Sequence, residues 1–277
     1  MQAAARPSAA VGEAQMAAQT SAPSLETVLE SIGNTPLVPV AHNLFAKLEG
    51  HNPGQSIKDR ALSSMVLAML DDGRLDPDSD TIMLVTSGSA GVSLLSLHDS
   101  LRAAGLGMDV VVVIPAAYAH KKIPAELLAT EGVKVYHSAA ELLADSEPAN
   151  GEQKVLLLDG TFLEVMAEAK FVAAGEEWSV LDQHYDENGM MAHRATVQEL
   201  LHQCPGVTDV VCTTGTGATA AGLRRFLPDR VRVHSRPGKS SLTLLTHRRR
   251  LEAPRAAPTA RAHNARLPVP KPPIEIR

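Results

Sequence analysis

Between residues 44 and 234 the chain alternates short runs rich in β-branched residues with longer stretches of helical composition. Leu44–Leu48, Thr81–Thr86, Asp109–Ile114, Lys134–Tyr136, Val155–Leu158, Asp209–Thr213 and Val231–His234 read as strands. Ile57–Asp72, Val92–Ala104, Lys121–Glu131, Met190–His202 and Ala218–Leu227 read as helices. Strands separated by helix-length crossovers predict an α/β fold with a mostly parallel sheet.

The 277 residues suffice for a substantial core, as one domain or two joined ones. With a formal net charge of -5, the chain offers no basic field for nucleic acid or an anionic membrane, so a small-molecule partner is the expectation. The longest apolar run, Val110 to Pro115, is strand-sized and too short to span a bilayer. Two cysteines, Cys204 and Cys212, do not build a disulfide framework, which points to a reducing cytoplasm; Cys212 reads as a small buried hydrophobe. Residues 1–24 are rich in Ala, Ser and Gln, lack the pattern of a secretory leader and read as a disordered tail. Residues 241–277, rich in Arg, Pro and Ala, are expected to be disordered too, with His247-Arg248-Arg249-Arg250 as part of a solvated tail. There are no internal repeats.

Three segments carry chemistry. In Asn52-Pro53-Gly54-Gln55-Ser56-Ile57-Lys58-Asp59-Arg60, Ser56 and Asp59 are spaced to cap a helix in the manner of a capping box. Lys58 then lies in the first turn, where the helix dipole favours the neutral amine that attacks a carbonyl. Thr86-Ser87-Gly88-Ser89-Ala90-Gly91 follows a strand and leaves backbone N–H groups for an anion such as a substrate carboxylate. Thr213-Thr214-Gly215-Thr216-Gly217-Ala218-Thr219 combines glycines with a helix start, which suits a phosphate. It is no Walker loop, because no Lys-Ser or Lys-Thr follows. Gly215 to Ala220 also matches a dinucleotide fingerprint, but the acid expected about 20 residues on is missing. Arg236 stands there instead and suits a 2′-phosphate, which leaves an NADP-binding oxidoreductase as an alternative. No His-x-x-x-His pair or His/Cys cluster suggests a metal, and no Gly-x-Ser-x-Gly elbow suggests a serine hydrolase.

In order and spacing these segments resemble the cysteine synthase family, the fold type II (β-family) pyridoxal-phosphate enzymes that include the cystathionine β-synthases. The resemblance spans about residues 25–240. It rests on Ile32-Gly33-Asn34-Thr35-Pro36-Leu37-Val38, on Ala46-Lys47-Leu48-Glu49 with Asn52-Pro53-Gly54 and Ser56-x-Lys58-Asp59-Arg60, and on the 86–91 loop. Gln183 with Asn188 and His193, and the 215–219 turn, complete it. It implies a two-domain parallel-sheet fold of the tryptophan-synthase-β-like type: an N-terminal α/β domain over residues 25–165 and an incomplete C-terminal one over 166–240. It also implies pyridoxal 5′-phosphate held by Lys58 as a Schiff base and by Gly215, Thr216, Gly217, Ala218 and Thr219 at its phosphate, with Ser89 near its ring. Thr86, Ser87, Gly88, Ala90 and Gln183 would bind the substrate carboxylate, and Lys58 would move the α-proton. The implied reaction is β-replacement on an activated serine, O-acetylserine or O-phosphoserine, to give cysteine or another β-substituted alanine. A cytoplasmic homodimer acting on a small amino acid is the implied form.

The chain departs from the family pattern at Ser89, where an asparagine is usual, and at Ala90, commonly a threonine. Family-like text also stops near Pro237-Gly238, as in a truncated or frame-shifted C-terminal domain. These departures motivate a second alternative, a degenerate member that binds cofactor or a partner protein without turnover.

Overall fold

The computed structural model describes residues 22–122, 132–145, 150–237 and 244–247. Five strands form a wholly parallel sheet: β3 (Thr81–Val85), β4 (Asp109–Pro115), β5 (Val133–Tyr136), β6 (Gln153–Leu158) and β7 (Ser179–Val180), in the order β5-β6-β4-β3-β7. β4 and β6 are buried at every position. That pattern is what helices on both faces require.

One face packs on α2 (Lys58–Asp71) and α3 (Ser89–Ala103), where Leu62, Met65, Leu94 and Leu97 meet Ile82, Leu84, Val110 and Val112. The other face packs on α6 (Phe162–Gly175), where Val165, Ala169 and Val172 meet Met83, Val85, Val111 and Val113. Alternate residues of one strand thus serve different cores, and each fully buried aliphatic contributes about 1.5–3 kcal/mol. The start of α6 is set by a reciprocal cap: the Glu164 carboxylate accepts from the Thr161 N–H at 2.7 Å, and the Thr161 hydroxyl accepts from the Glu164 N–H. The sequence reading has no helix there, although Thr161-x-x-Glu164 is its signal.

The second sheet is mixed. It consists of β1 (Leu37–Ala41), β2 (Leu44–Lys47), β8 (Asp209–Thr214), β9 (Arg232–Pro237) and β10 (Leu244–His247), ordered β1-β2-β10-β8-β9. β8 and β9 are parallel; the pairs β1·β2, β2·β10 and β10·β8 are antiparallel. Two expectations are corrected here. The expected division into residues 25–165 and 166–240 does not follow the sheets, because β1 and β2 pair into the sheet that also holds β8 and β9. The parallel sheet is therefore inserted between the two chain ends of the mixed one. Residues 244–247, expected to belong to a disordered tail, form a strand bonded on both sides, which satisfies their backbone groups between β2 and β8. The rest of the two expected tails, apart from residues 22–24, lies outside the described residues, as does most of the helix expected over Lys121–Glu131; α4 runs from Ala116 to Lys122. Among the described residues no helix is long and apolar enough to cross a membrane.

One face of the mixed sheet carries α8 (His193–Gln203) and α9 (Ala218–Phe226), with Val197, Leu200 and Leu223 packed on Val210 and Cys212. Cys204 and Cys212 are buried and neither forms a disulfide. α7 (Glu187–Met191) and the start of α8 lie so close to α9 that a Cβ on Gly222 would fall 2.6 Å from both His193 Cβ and the Met190 carbonyl oxygen. Helix propensity alone favours alanine over glycine by about 1 kcal/mol. A backbone carbonyl cannot swing aside, so the close approach wins. Gly222→Ala is expected to lower stability by about 2 kcal/mol in urea unfolding; a neutral or stabilising result would show that these helices separate freely.

Candidate functional site

The site is assembled around the turn that begins α2. Ser56 does accept from the Lys58 N–H at 3.1 Å, but the expected capping box is absent. Asp59 reaches back past Ser56 to the Gly54 N–H at 2.5 Å and across to the Ser93 hydroxyl at 2.5 Å, so its carboxylate serves tertiary contacts instead of the cap. Lys58 is half-buried, and burial lowers its pKa from the usual lysine value. The cause differs from the helix dipole invoked on sequence; the direction is the same.

The Lys58 ammonium donates to the Thr216 hydroxyl at 3.4 Å, bringing the lysine turn and the 215–219 turn together. Gly217 has φ +94, a conformation that side-chain-bearing residues rarely adopt, and it precedes α9 directly. A Cβ built on Gly215 or Gly217 meets nothing within 4 Å, so open space lies beside both glycines. A primary amine facing a glycine cradle at a helix N-terminus fits an aldehyde cofactor that carries a phosphate. Thr219 and Ala218 occupy the first turn of α9, half-buried.

The third segment caps the parallel sheet at the end of β3. Thr86 is buried, its hydroxyl accepting from the Gly88 N–H at 3.1 Å, while Ser87 and Ser89 are half-buried. The Ala90 methyl faces the main core, which leaves its backbone as the only part suited to a ligand. Gln183 donates its amide to the Val85 carbonyl at 3.0 Å, placing it beside the loop's first residue. His193 is buried, with its Nδ1 3.2 Å from the Thr196 hydroxyl. Burial, and then the positive charges of Arg60 and Lys58, push its pKa down to about 3, so it is neutral.

Sequence reasoning missed the feature that holds the lysine turn. Arg60 donates to both oxygens of Glu49 (2.7 and 3.0 Å) and of Glu199 (2.7 and 2.8 Å), and Lys47 pairs with Glu199 at 2.7 Å. The Thr35 carbonyl accepts from Lys47 at 2.8 Å, the Thr35 hydroxyl donates to Glu49 at 2.8 Å, and Asn52 donates to Glu49 at 3.0 Å. Family-like residues of the opening phrase and of the lysine segment thus converge on one charge-balanced buried cluster. Its one available signal was the pair of charges, Lys47 and Glu49, flanking a strand end.

A signature of the family described as pyridoxal-phosphate dependent enzyme matches residues 28–235. The chain belongs to that family, whose members bind pyridoxal 5′-phosphate. It is 29% identical over 216 residues to a cystathionine beta-synthase of Dictyostelium discoideum, covering 75% of this chain and 39% of that protein. It is 30% identical over 214 residues to a cysteine synthase of Aquifex aeolicus, covering 73% and 58%. Among solved structures it resembles an O-ureido-L-serine synthase with a TM-score of 0.58 and 27% identity, covering 77% of this chain and 63% of that one. The chain therefore spans between about two fifths and two thirds of these relatives. The family match replaces the dinucleotide reading of the Gly215 turn.

Glu199 is expected to be a stability determinant. Burial alone would raise its pKa, but Arg60 and Lys47 outweigh burial and hold it at about 2. A carboxylate depressed on folding stabilises above its unfolded value and loses that contribution as pH falls through the folded one. Glu199→Gln should therefore cost about 3–5 kcal/mol at neutral pH in urea unfolding, having left buried cations short of a counter-charge. The deficit should shrink between the ordinary 4.5 and about 2. A constant deficit across that window would show that the lost charge is not its cause.

Proposed function

We propose that this protein catalyses β-replacement on an activated serine, O-acetylserine or O-phosphoserine, yielding cysteine or another β-substituted alanine. The observation that carries this reading is the Lys58 amine held 3.4 Å from Thr216 within the glycine cradle, in a chain of the pyridoxal-phosphate family. The similarity to cysteine and cystathionine beta-synthases supports the reaction type.

Bound there, the cofactor supplies an electron sink for the substrate's α-carbon. The backbone N–H groups and hydroxyls of Gly215, Thr216, Gly217, Ala218 and Thr219, at the positive end of α9, would hold its phosphate. Lys58 would hold the cofactor through its amine, in the neutral form that its burial favours. Lys58 would also serve as the base that takes the substrate's α-proton and returns it when the nucleophile has replaced the β-leaving group. Thr86, Ser87, Gly88 and the Ala90 N–H orient the substrate carboxylate, with Gln183 at the edge of the loop. Ser89 would be a further residue holding the cofactor. With sulfide as nucleophile the product is cysteine. The reading extends to a homodimer in a reducing cytoplasm, which accords with two buried cysteines that form no disulfide.

A second reading, cofactor binding without turnover, is favoured by Ala90, whose side chain is spent on the core and leaves the carboxylate loop without a hydroxyl there. Visible absorbance of the purified protein with added pyridoxal phosphate, beside Lys58→Ala, separates the readings. The wild type is expected to gain a visible band absent from the variant, and to form cysteine from O-acetylserine and sulfide. A band without turnover would establish the second reading, and a wild type that takes up no cofactor would sink both.

A further inference from the structure

Asp59 follows the candidate cofactor lysine and is buried, yet it takes no part in the charge cluster that surrounds Arg60. Its two oxygens face two other chain segments: Oδ2 accepts from the Gly54 N–H and Oδ1 from the Ser93 hydroxyl, each at 2.5 Å. Ser93 is 1% exposed and lies one turn after Ser89, in the helix that begins at the 86–91 loop. Gly54 is pressed into the same junction: a Cβ there would fall 2.7 Å from Asp59 Oδ1 and 2.7 Å from Ser93 Cα. Three backbones, those of the Asn52–Gly54 turn, α2 and α3, thus meet on one carboxylate with no slack between them.

We propose that Asp59 is a positioning residue that holds the Lys58 turn at a fixed distance from the Thr86–Gly91 loop through its bond to Ser93. The proposal rests on the functional reading above, in which the first segment carries the cofactor and the second the substrate carboxylate. The link is short in covalent terms: the carboxylate belongs to the residue next to Lys58, and only Val92 separates Gly91 from Ser93, which carries the hydroxyl. Burial makes the link stiff. Burial itself raises the pKa of Asp59, opposing the bonds from Ser93 and Gly54 that favour its charge, so both donors are needed where no water replaces them. A helix-capping role would need neither Ser93 nor the close approach of Gly54. Losing the bond lets α2 and α3 slide by a fraction of an ångström, which misaligns substrate against lysine without removing either.

The test compares Ser93→Ala, Asp59→Ala and Asp59→Asn in the full chain. Asparagine keeps the link, since its carbonyl accepts from Gly54 and its amide donates to the Ser93 oxygen. Amide hydrogen exchange without cofactor should accelerate in Ser93→Ala both at residues 52–60 and at residues 86–93, and stay near wild type in Asp59→Asn. With pyridoxal phosphate bound, KM for O-acetylserine should rise about tenfold in Ser93→Ala, with kcat and the visible band within about threefold of wild type. Exchange that quickens only around residue 93, or an Asp59→Asn variant as impaired as Asp59→Ala, would overturn the proposal. If Asp59→Ala fails to fold, Ser93→Ala and Asp59→Asn still decide it. If the wild type binds no cofactor, the functional reading fails on that measurement while hydrogen exchange still judges the link.

Discussion

Arg60 and Lys47 are buried, and two carboxylates from distant parts of the chain, Glu49 and Glu199, neutralise them. Neither half of that set is tolerable alone, because a lone buried charge loses several kcal/mol of hydration with nothing to replace it. Helix α8, which brings Glu199, must therefore dock on the segment spanning β2 and the start of α2 before either is stable. The opening phrase is then held in place, since Thr35 bonds to Glu49, Lys47 and Arg60 together. Lys58 lies two residues from Arg60, so the position of the amine is inherited from this cluster. His193, at the head of the same helix, is kept neutral by burial and by the cluster's cation. The position of the lysine turn depends on this electrostatic arrangement.

Around this anchor the two sheets divide the labour. The parallel sheet, buried on both faces, presents the 86–91 loop at the end of β3. The mixed sheet presents the glycine cradle at the end of β8. The lysine turn lies between them, reaching one through Thr216 and the other through Asp59 and Ser93. Such a three-way meeting suits a cofactor whose phosphate and reactive carbon are held by different layers of the protein.

Much of this was legible in the sequence, for identifiable reasons. The strands that became β3, β4, β6 and β8 were found within about two residues because their apolar runs are bounded by turn residues. The three candidate segments stood out because each places lysine, hydroxyl or glycine residues at the start of a helix that follows a strand. What escaped was non-local. β1 contains Pro39 and has an exposed end, β7 is only two residues long, and neither produces a period. β10 exists because β2 and β8 leave a slot between them, not because Leu244–His247 is a strong strand by itself. Asp59 read as a cap because its spacing from Ser56 fits one. Its true partners, Gly54 and Ser93, are revealed only when α2 and α3 cross. Glu199 looked like any helical glutamate until its partners were placed.

The mixed sheet draws its strands from both sides of an inserted parallel one, and this bears on how the chain is made. During synthesis the β3–β7 unit emerges whole and can collapse on its own helices, since all its pairings are internal. β2 has no such recourse. Its pairing partner beyond β1 arrives roughly two hundred residues later, when Leu244 comes opposite Lys47. At about 5–20 residues per second the ribosome leaves that edge waiting for ten seconds or more. Loop-closure entropy adds to the delay. The last step in forming this fold is therefore the closing of a sheet rather than the collapse of a core.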